Sequence, residues 1–243
     1  MVSAGMTALL DELAVQRTDG LNASFARRCA DALGIDGLAV TLSGDDSFGE
    51  LVWASDPLSA QLDDLQFTLG EGPGMDAVDG GVLVLDADLR LVPRARWPGF
   101  LSSAETLGLR AVFAFPLQIG AIQVGVLTCR RSTPGPLDAT ALSDALVFAD
   151  ALTLTLLGDV AHGFAEHASL HRAEVHQATG MIAVRLGVTP AVALVRLRAY
   201  AYATERPIVD VARDIVARKL RLPADGAERD GDDTGTRSPD GGG

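Results

Sequence analysis

The side chains able to do chemistry gather in one stretch of the 243-residue chain. Residues 166–222 hold nine Arg or Lys against five Asp or Glu, and three of the four histidines. Read as a helix, Arg196 and Tyr200 fall one turn apart, with Arg198 on another flank. His176, Gln177 and Gly180 precede them, and Arg206 stands beside Pro207. Guanidinium groups suit anionic oxygens, and glycine permits close approach of a backbone. The competing reading is a solvated helix face, with Tyr200 partly buried in a small helical core. Catalytic chemistry is harder to assemble. His162, His167, His171 and His176 follow each other at spacings of five, four and five, and only His167 and His171 share a helical face. Two histidines without a third ligand make a weak metal site. Neither a G-x-S-x-G elbow nor a G-x-x-x-x-G-K-[ST] phosphate loop occurs, and Gly70-Glu71-Gly72-Pro73-Gly74 lacks the spacing of a dinucleotide fingerprint. Cys29 and Cys129 sit in apolar patterns and read as structural thiols without a nearby base. Asp86-Ala87-Asp88 lacks the further ligands of a calcium loop. No cofactor or metal is expected.

Composition bounds the rest. Hydrophobic residues make up 48% and charged residues 21%, enough for a substantial core. Two cysteines are too few for a disulfide scaffold and fit a reducing cytoplasm. The first basic residue is Arg17, so a secretory signal is not expected, and no apolar run approaches the ~18 residues of a membrane span. The net charge is −12, and Lys219 is the only lysine. An acidic body through residue 165, a basic segment and an acidic tail from residue 223 suggest at least two functional units.

The elements that must position these residues follow from periodicity. A short helix in residues 1–20, with Leu9, Leu10 and Leu13 on one side, precedes a helix over Leu21–Leu33 stopped by Gly34. Leu38–Leu42 and a strand holding Leu51–Trp53 read as a hairpin, and residues 57–66 as a helix. The glycine-rich loop then leads into a short helix. Val82–Leu85 reads as a short buried strand, Leu101–Leu107 as a helix, and Ala111–Leu117 with Val124–Cys129 as an antiparallel hairpin. A long helix runs from Leu137 to about Gly158, and its continuation through Ala165 to Leu186 would join the acidic and basic units. Its Leu142, Leu146, Leu152 and Leu156 stripe fits packing on a sheet or on a twin helix. Three helices follow. Val175, Ala178, Ile182 and Leu186 line the first; Thr189 and Pro190 open the second; Pro207 opens the third. Three helices this short bury little by themselves, so support from the long helix or a partner is expected. The tail from Pro223 is expected to be disordered. The fold class is α+β: an antiparallel sheet flanked by helices, a long connecting helix and a C-terminal three-helix unit.

Residues 172–221, from Arg-Ala-Glu-Val-His-Gln-Ala-Thr-Gly-Met-Ile-Ala through Arg-Leu-Arg-Ala-Tyr-Ala to Asp-Val-Ala-Arg-Asp-Ile-Val, resemble an ANTAR domain. Gly180-Met181, Leu197-Arg198, Ala201 and Ala212 stand at the pattern spacings of that family. Residues 21–157 resemble a GAF domain through Leu-Gly-Glu-Gly-Pro-Gly-Met-Asp-Ala and Ala-Val-Phe-Ala-Phe-Pro-Leu. The resemblance implies a GAF sensor at 21–157 behind a helical extension at 1–20, an RNA-binding ANTAR unit at 158–222 and an acidic tail at 223–243. It also implies a cytoplasmic regulator of transcription antitermination that binds hairpin loops in nascent transcripts. A small-molecule ligand in the GAF unit, a homodimer and no membrane association are expected with it. RNA contact is then expected at His176, Gln177, Gly180, Arg196, Arg198, Tyr200 and Arg206. Gly74 stands where many relatives carry Cys; the asparagine–lysine motif for cyclic nucleotides is absent; and Cys29 and Cys129 do not reproduce the cysteine set of GAF-type methionine sulfoxide reductases. These departures disfavour a thiol-dependent role at that loop, reductase activity and cyclic-nucleotide binding; with no catalytic constellation in the sequence, an enzyme is not expected. The alternative is a signal-responsive module that works through protein partners without RNA.

Overall fold

The computed structural model describes residues 2–16, 22–44, 47–160 and 172–223. Helices α1 (Ala4–Gln16) and α2 (Ala23–Ala32) lead into β1 (Gly37–Gly44) and β2 (Ser47–Ala54). Next come α3 (Pro57–Leu69), α4 (Pro73–Gly80), β3 (Val84–Asp86), α5 (Pro98–Thr106), β4 (Ala111–Ile119), β5 (Ile122–Arg131) and the long α6 (Ala139–Val160). Three further helices follow: α7 (Ala173–Leu186), α8 (Pro190–Ala203) and α9 (Ile208–Val216). The five strands form one antiparallel sheet in the order β2-β1-β5-β4-β3. A central antiparallel sheet with helices around it is the arrangement that the GAF resemblance implied.

Strand periodicity assigns the two faces. On β4, Phe113, Phe115 and Leu117 join one core with Leu127 and Cys129 of β5, while Val112 and Ala114 join the other with Val126. The first core is closed by α1, α2 and α6. Met6, Leu9 and Leu13 pack there with Phe25, Phe148, Leu152 and Leu156, so the N-terminal helix belongs to the sheet's own core. Trp53 stacks with Phe25, their ring centroids 5.8 Å apart. The second face carries α3, α4 and α5 through Phe67, Met75, Trp97 and Phe100. That core does not stop at the sheet domain. It runs on without a break into Val175, Ile182, Leu197, Ala201, Val211 and Ile215 of the last three helices, and Leu58, Leu65 and Leu69 of α3 pack against it.

Several expectations change. The strand expected at Val82–Leu85 is an edge strand at Val84–Asp86. Only Val84 of Val82–Leu85 is buried, because an edge strand of three residues has a partner on one side only. The expected lack of a long apolar run is also revised: Ala139–Gly158 is long and apolar enough to cross a membrane by length and composition. Phe148, Leu152 and Leu156 of that helix are instead buried on the sheet, and Asp144 is buried as the acceptor for the Ser3 amide at 2.9 Å. The helix join expected over Ala165–Leu186 falls partly on residues 161–171, outside the described residues, as do His162, His167, His171 and the tail from 224. The three helices rest on α3 of the sheet domain rather than on the long helix.

Two sites fix α3 and the sheet. Asp56 caps α3, accepting from the Ser59 amide at 3.0 Å, and pairs with Arg130 of β5 at 2.6 Å. Burial alone pushes the Asp56 carboxyl up, but the Ser55 and Ser59 hydroxyls, the Ser59 amide and Arg130 together hold it down at about 2. At Gly125, where β5 pairs with β1, a Cβ would collide with the Thr41 carbonyl oxygen. Gly125→Ala is therefore expected to lower the unfolding free energy by about 1–3 kcal/mol, measured by urea denaturation. A carboxyl lowered in the folded state stabilises fully above its unfolded pKa of ~3.9 and loses that contribution as pH falls toward its folded value. Denaturation between about pH 5 and about pH 3 should thus show a stability loss in the wild type that is smaller in Asp56→Asn.

Candidate nucleic-acid interface

The C-terminal unit is built by local signals. Gly187, at φ +65°, closes α7 in the left-handed conformation. Thr189 caps α8 by accepting from the Val192 amide, with Pro190 at its first turn. The buried line of α9 is Ile208, Val211, Ala212 and Ile215. Val175, Ala178 and Ile182 of α7 and Ala193, Leu197 and Ala201 of α8 complete the interior, as the spacing predicts.

The seam with the sheet domain is ionic as well as apolar. Arg172, just before α7, is completely buried. Its Nη2 reaches Asp63 at 2.7 Å and Asp64 at 2.9 Å, both on α3. Its Nη1 donates to the Gly49 carbonyl, and its backbone amide donates to Glu50 at 3.1 Å. The guanidinium lies 3.9 Å from the centroid of the Phe67 ring. Asp63 is buried too and accepts from the Thr41 hydroxyl. Burial pushes the Asp63 carboxyl up, against the pull of Arg172 and Thr41. Glu50 also binds His176 Nε2 at 2.7 Å. Taking charges this far from water costs several kcal/mol per ion, so each partner is stable there only while the other remains.

The seven expected contact residues do not share one surface. Gln177 and Gly180 are exposed on α7, and His176 is exposed while touching Glu50 of β2. Arg196 and Tyr200 are half-buried on α8, and Tyr200 packs on the apolar core. Arg206 pairs with Asp214 at 2.6 Å. Arg198 faces the sheet domain, 5.1 Å from the Phe67 ring centroid, and its Nε and Nη2 are buried without an acceptor. Burial and the nearby Arg172 lower its pKa to about 10, with Asp79 opposing them. The glycine-rich loop is what admits it: Gly70, at φ +69°, ends α3, and a Cβ there would stand 2.9 Å from Arg198 Nη1. A pocket of about 510 Å³ opens beside this contact, lined by Leu69, Glu71, Pro98, Arg198 and Tyr202 among others. The sequence reading missed the role of Arg172 and Asp63. A signal was present: Asp63 lies inside the Ser59, Leu62, Gln66, Phe67 buried stripe of α3, where an acid requires a cation.

Residues 165–216 match the family model for the ANTAR domain. The C-terminal unit is an ANTAR domain. An ANTAR domain implies RNA binding in a regulator. Its described part holds Arg172, His176, Gln177, Gly180, Arg196, Arg198, Tyr200 and Arg206. No curated protein matches the chain. The sheet domain is similar to the GAF domain of an Acinetobacter phosphoenolpyruvate-protein phosphotransferase, 15% identical over 65% of this chain and 93% of that one, with TM-score 0.48. It is similar to free methionine-R-sulfoxide reductase from Neisseria meningitidis in complex with its substrate, at 18% identity, 64% and 93% coverage and TM-score 0.47. It is also similar to a phycoerythrobilin-bound GAF domain from a cyanobacterial phytochrome, at 12% identity, 68% and 100% coverage and TM-score 0.44. Among the described residues, no three His, Cys, Asp or Glu gather as a metal site. Cys29 and Cys129 are buried, and burial pushes the Cys29 thiol up to about 12 and Cys129 in the same direction.

Arg172→Met leaves Asp63 buried beside an apolar side chain. It should cost about 3–5 kcal/mol in chemical denaturation, and adding Asp63→Asn should recover part of that loss.

Proposed function

We propose that this chain is an RNA-binding regulator that promotes transcription through terminators by holding hairpin loops of the nascent transcript, under control of its GAF-like sheet domain. The observation that carries this reading is the ANTAR domain at 165–216, the most cationic stretch of an otherwise acidic chain. Unpaired loop bases present faces for stacking and edges for hydrogen bonding, while arginines engage the phosphates between them. On this reading His176, Gln177, Gly180, Arg196, Tyr200 and Arg206 supply contacts in the arrangement described above, and Arg198 joins them once the seam opens. The sheet domain supplies the signal input, through a small molecule or through the seam itself. The protein acts in the cytoplasm as a homodimer and without catalysis. The exposed Leu146 and Leu154 on α6 are apolar groups that a second α6 would cover. Two RNA-binding units in one dimer would hold paired hairpins with a gain in effective concentration.

Gel shifts with a two-hairpin RNA over about 50 to 200 mM salt test the reading, since phosphate contacts make the observed affinity fall steeply with salt. The expected result is binding that weakens with salt, is stronger for two hairpins than for one, and drops when Arg196→Ala is introduced. Sizing by light scattering should give a dimer. Recovery of a protein regulator with no RNA binding at any salt would instead favour the partner-docking alternative.

A further inference from the structure

The docked arrangement half-buries Arg198 and engages Arg206, yet among the described residues it leaves another cationic surface open. Between α7 and the chain just after α9 lies a groove of about 630 Å³, lined by Gly180, Met181, Val184, Arg185, Arg218 and Arg221 among others. No residue of the sheet domain lines it, so the seam does not close it. Its floor is apolar, with Met181, Ile182, Ile215 and Leu220, and Val184 at its lip is 86% exposed. Arg185, Arg218 and Arg221 are exposed, and among the described residues none of the three has a carboxylate partner. Most other arginines among the described residues do, including Arg28, Arg96, Arg110, Arg130, Arg172 and Arg213. At Gly180 nothing stands within 4 Å of the position a Cβ would take, so the backbone itself forms an open edge of the groove.

A second observation marks the same place. Arg218 ends α9 with φ +59°, its amide donating to the Ile215 carbonyl at 2.9 Å while the Lys219 amide donates to the Asp214 carbonyl at 2.8 Å. This is the helix-ending position that glycine fills without strain, and a side chain there is held in an unfavoured conformation. Arginine in that position sets a charge on the groove in a conformation that costs stability; Glu205, at φ +52°, is the other such non-glycine residue among the described ones and lies outside the groove.

We infer that this groove is the site at which the ANTAR domain takes single-stranded loop RNA: one looped-out base lies on the apolar floor, and Arg185, Arg218 and Arg221 grip the flanking phosphates. The inference rests on the RNA-binding reading above and specifies its surface. It makes the first RNA contact independent of the seam, because no residue of the sheet domain lines the groove while Arg198 is half-buried against that domain.

Arg218→Gly separates function from folding. The variant relieves the left-handed strain, so its thermal midpoint should rise by about 2–4 °C. At the same time hairpin RNA should bind roughly tenfold more weakly, and the slope of log affinity against log salt should flatten by about 0.7, the share of one phosphate contact. Arg221→Gln should act alike on RNA, and Val184→Glu, which sets a carboxylate at the lip, should weaken binding further. Arg27→Gln on α2, an exposed arginine paired with Asp31, is the charge-matched control and should change neither quantity. If Arg218→Gly and Arg221→Gln bind RNA as the wild type does while Arg196→Ala does not, the groove is not the site, although the chain still binds RNA. If the wild type binds no hairpin RNA at any salt, the functional reading fails and this inference falls with it.

Discussion

A guanidinium group with no access to water sits at the meeting point of the two halves of this molecule. Arg172 is fully buried, and its charge is met by Asp63, which is equally buried, and by Asp64 on the same helix. Neither charge would remain in that interior alone, so the pair commits the ANTAR domain to one position on the sheet domain. The remaining seam contacts depend on that commitment. Phe67 receives Arg172 on its ring, Arg198 packs nearby, and Glu50 joins the Arg172 amide to His176. Removing either ion would leave the other buried without a counter-charge at this seam.

Helix α3 is the part that both sides share. Its start is fixed to the sheet by Asp56 and Ser59 against Arg130. Its middle holds Arg172 through Asp63. Its end, Gly70, opens the space that Arg198 fills. A displacement of α3 by anything bound to the sheet domain would therefore reach both arginines directly, without passing through α6. The same geometry separates the ANTAR surface into a face that meets the seam and a groove that, among the described residues, no part of the sheet domain lines.

Much of the architecture was legible because it rests on local physics. Alternating apolar residues at Ala111–Leu117 and Val124–Cys129 gave the central hairpin, Thr189-Pro190 gave the start of α8, and Gly187 gave the end of α7. What failed was non-local. Val82, Leu83 and Leu85 read as buried because they are apolar, but an edge strand with one partner leaves them exposed. Arg198 read as a solvent-facing cation because its helix position is off the apolar stripe. Only the docking of a second domain, invisible to periodicity, covers that flank. The positive φ at Arg218 was likewise hidden, since an arginine is not a residue from which one reads a left-handed turn.

Eleven residues separate Val160, the end of α6, from Arg172. The twelve steps from Val160 to Arg172 can cover at most about 43 Å at ~3.6 Å per residue. An ANTAR domain released from the seam would therefore remain within that distance of the end of α6. Any opening of the seam would then be an event within one chain, insensitive to how much protein the cell makes. Any loop RNA that uses the covered arginine must win against a neighbour that never diffuses away.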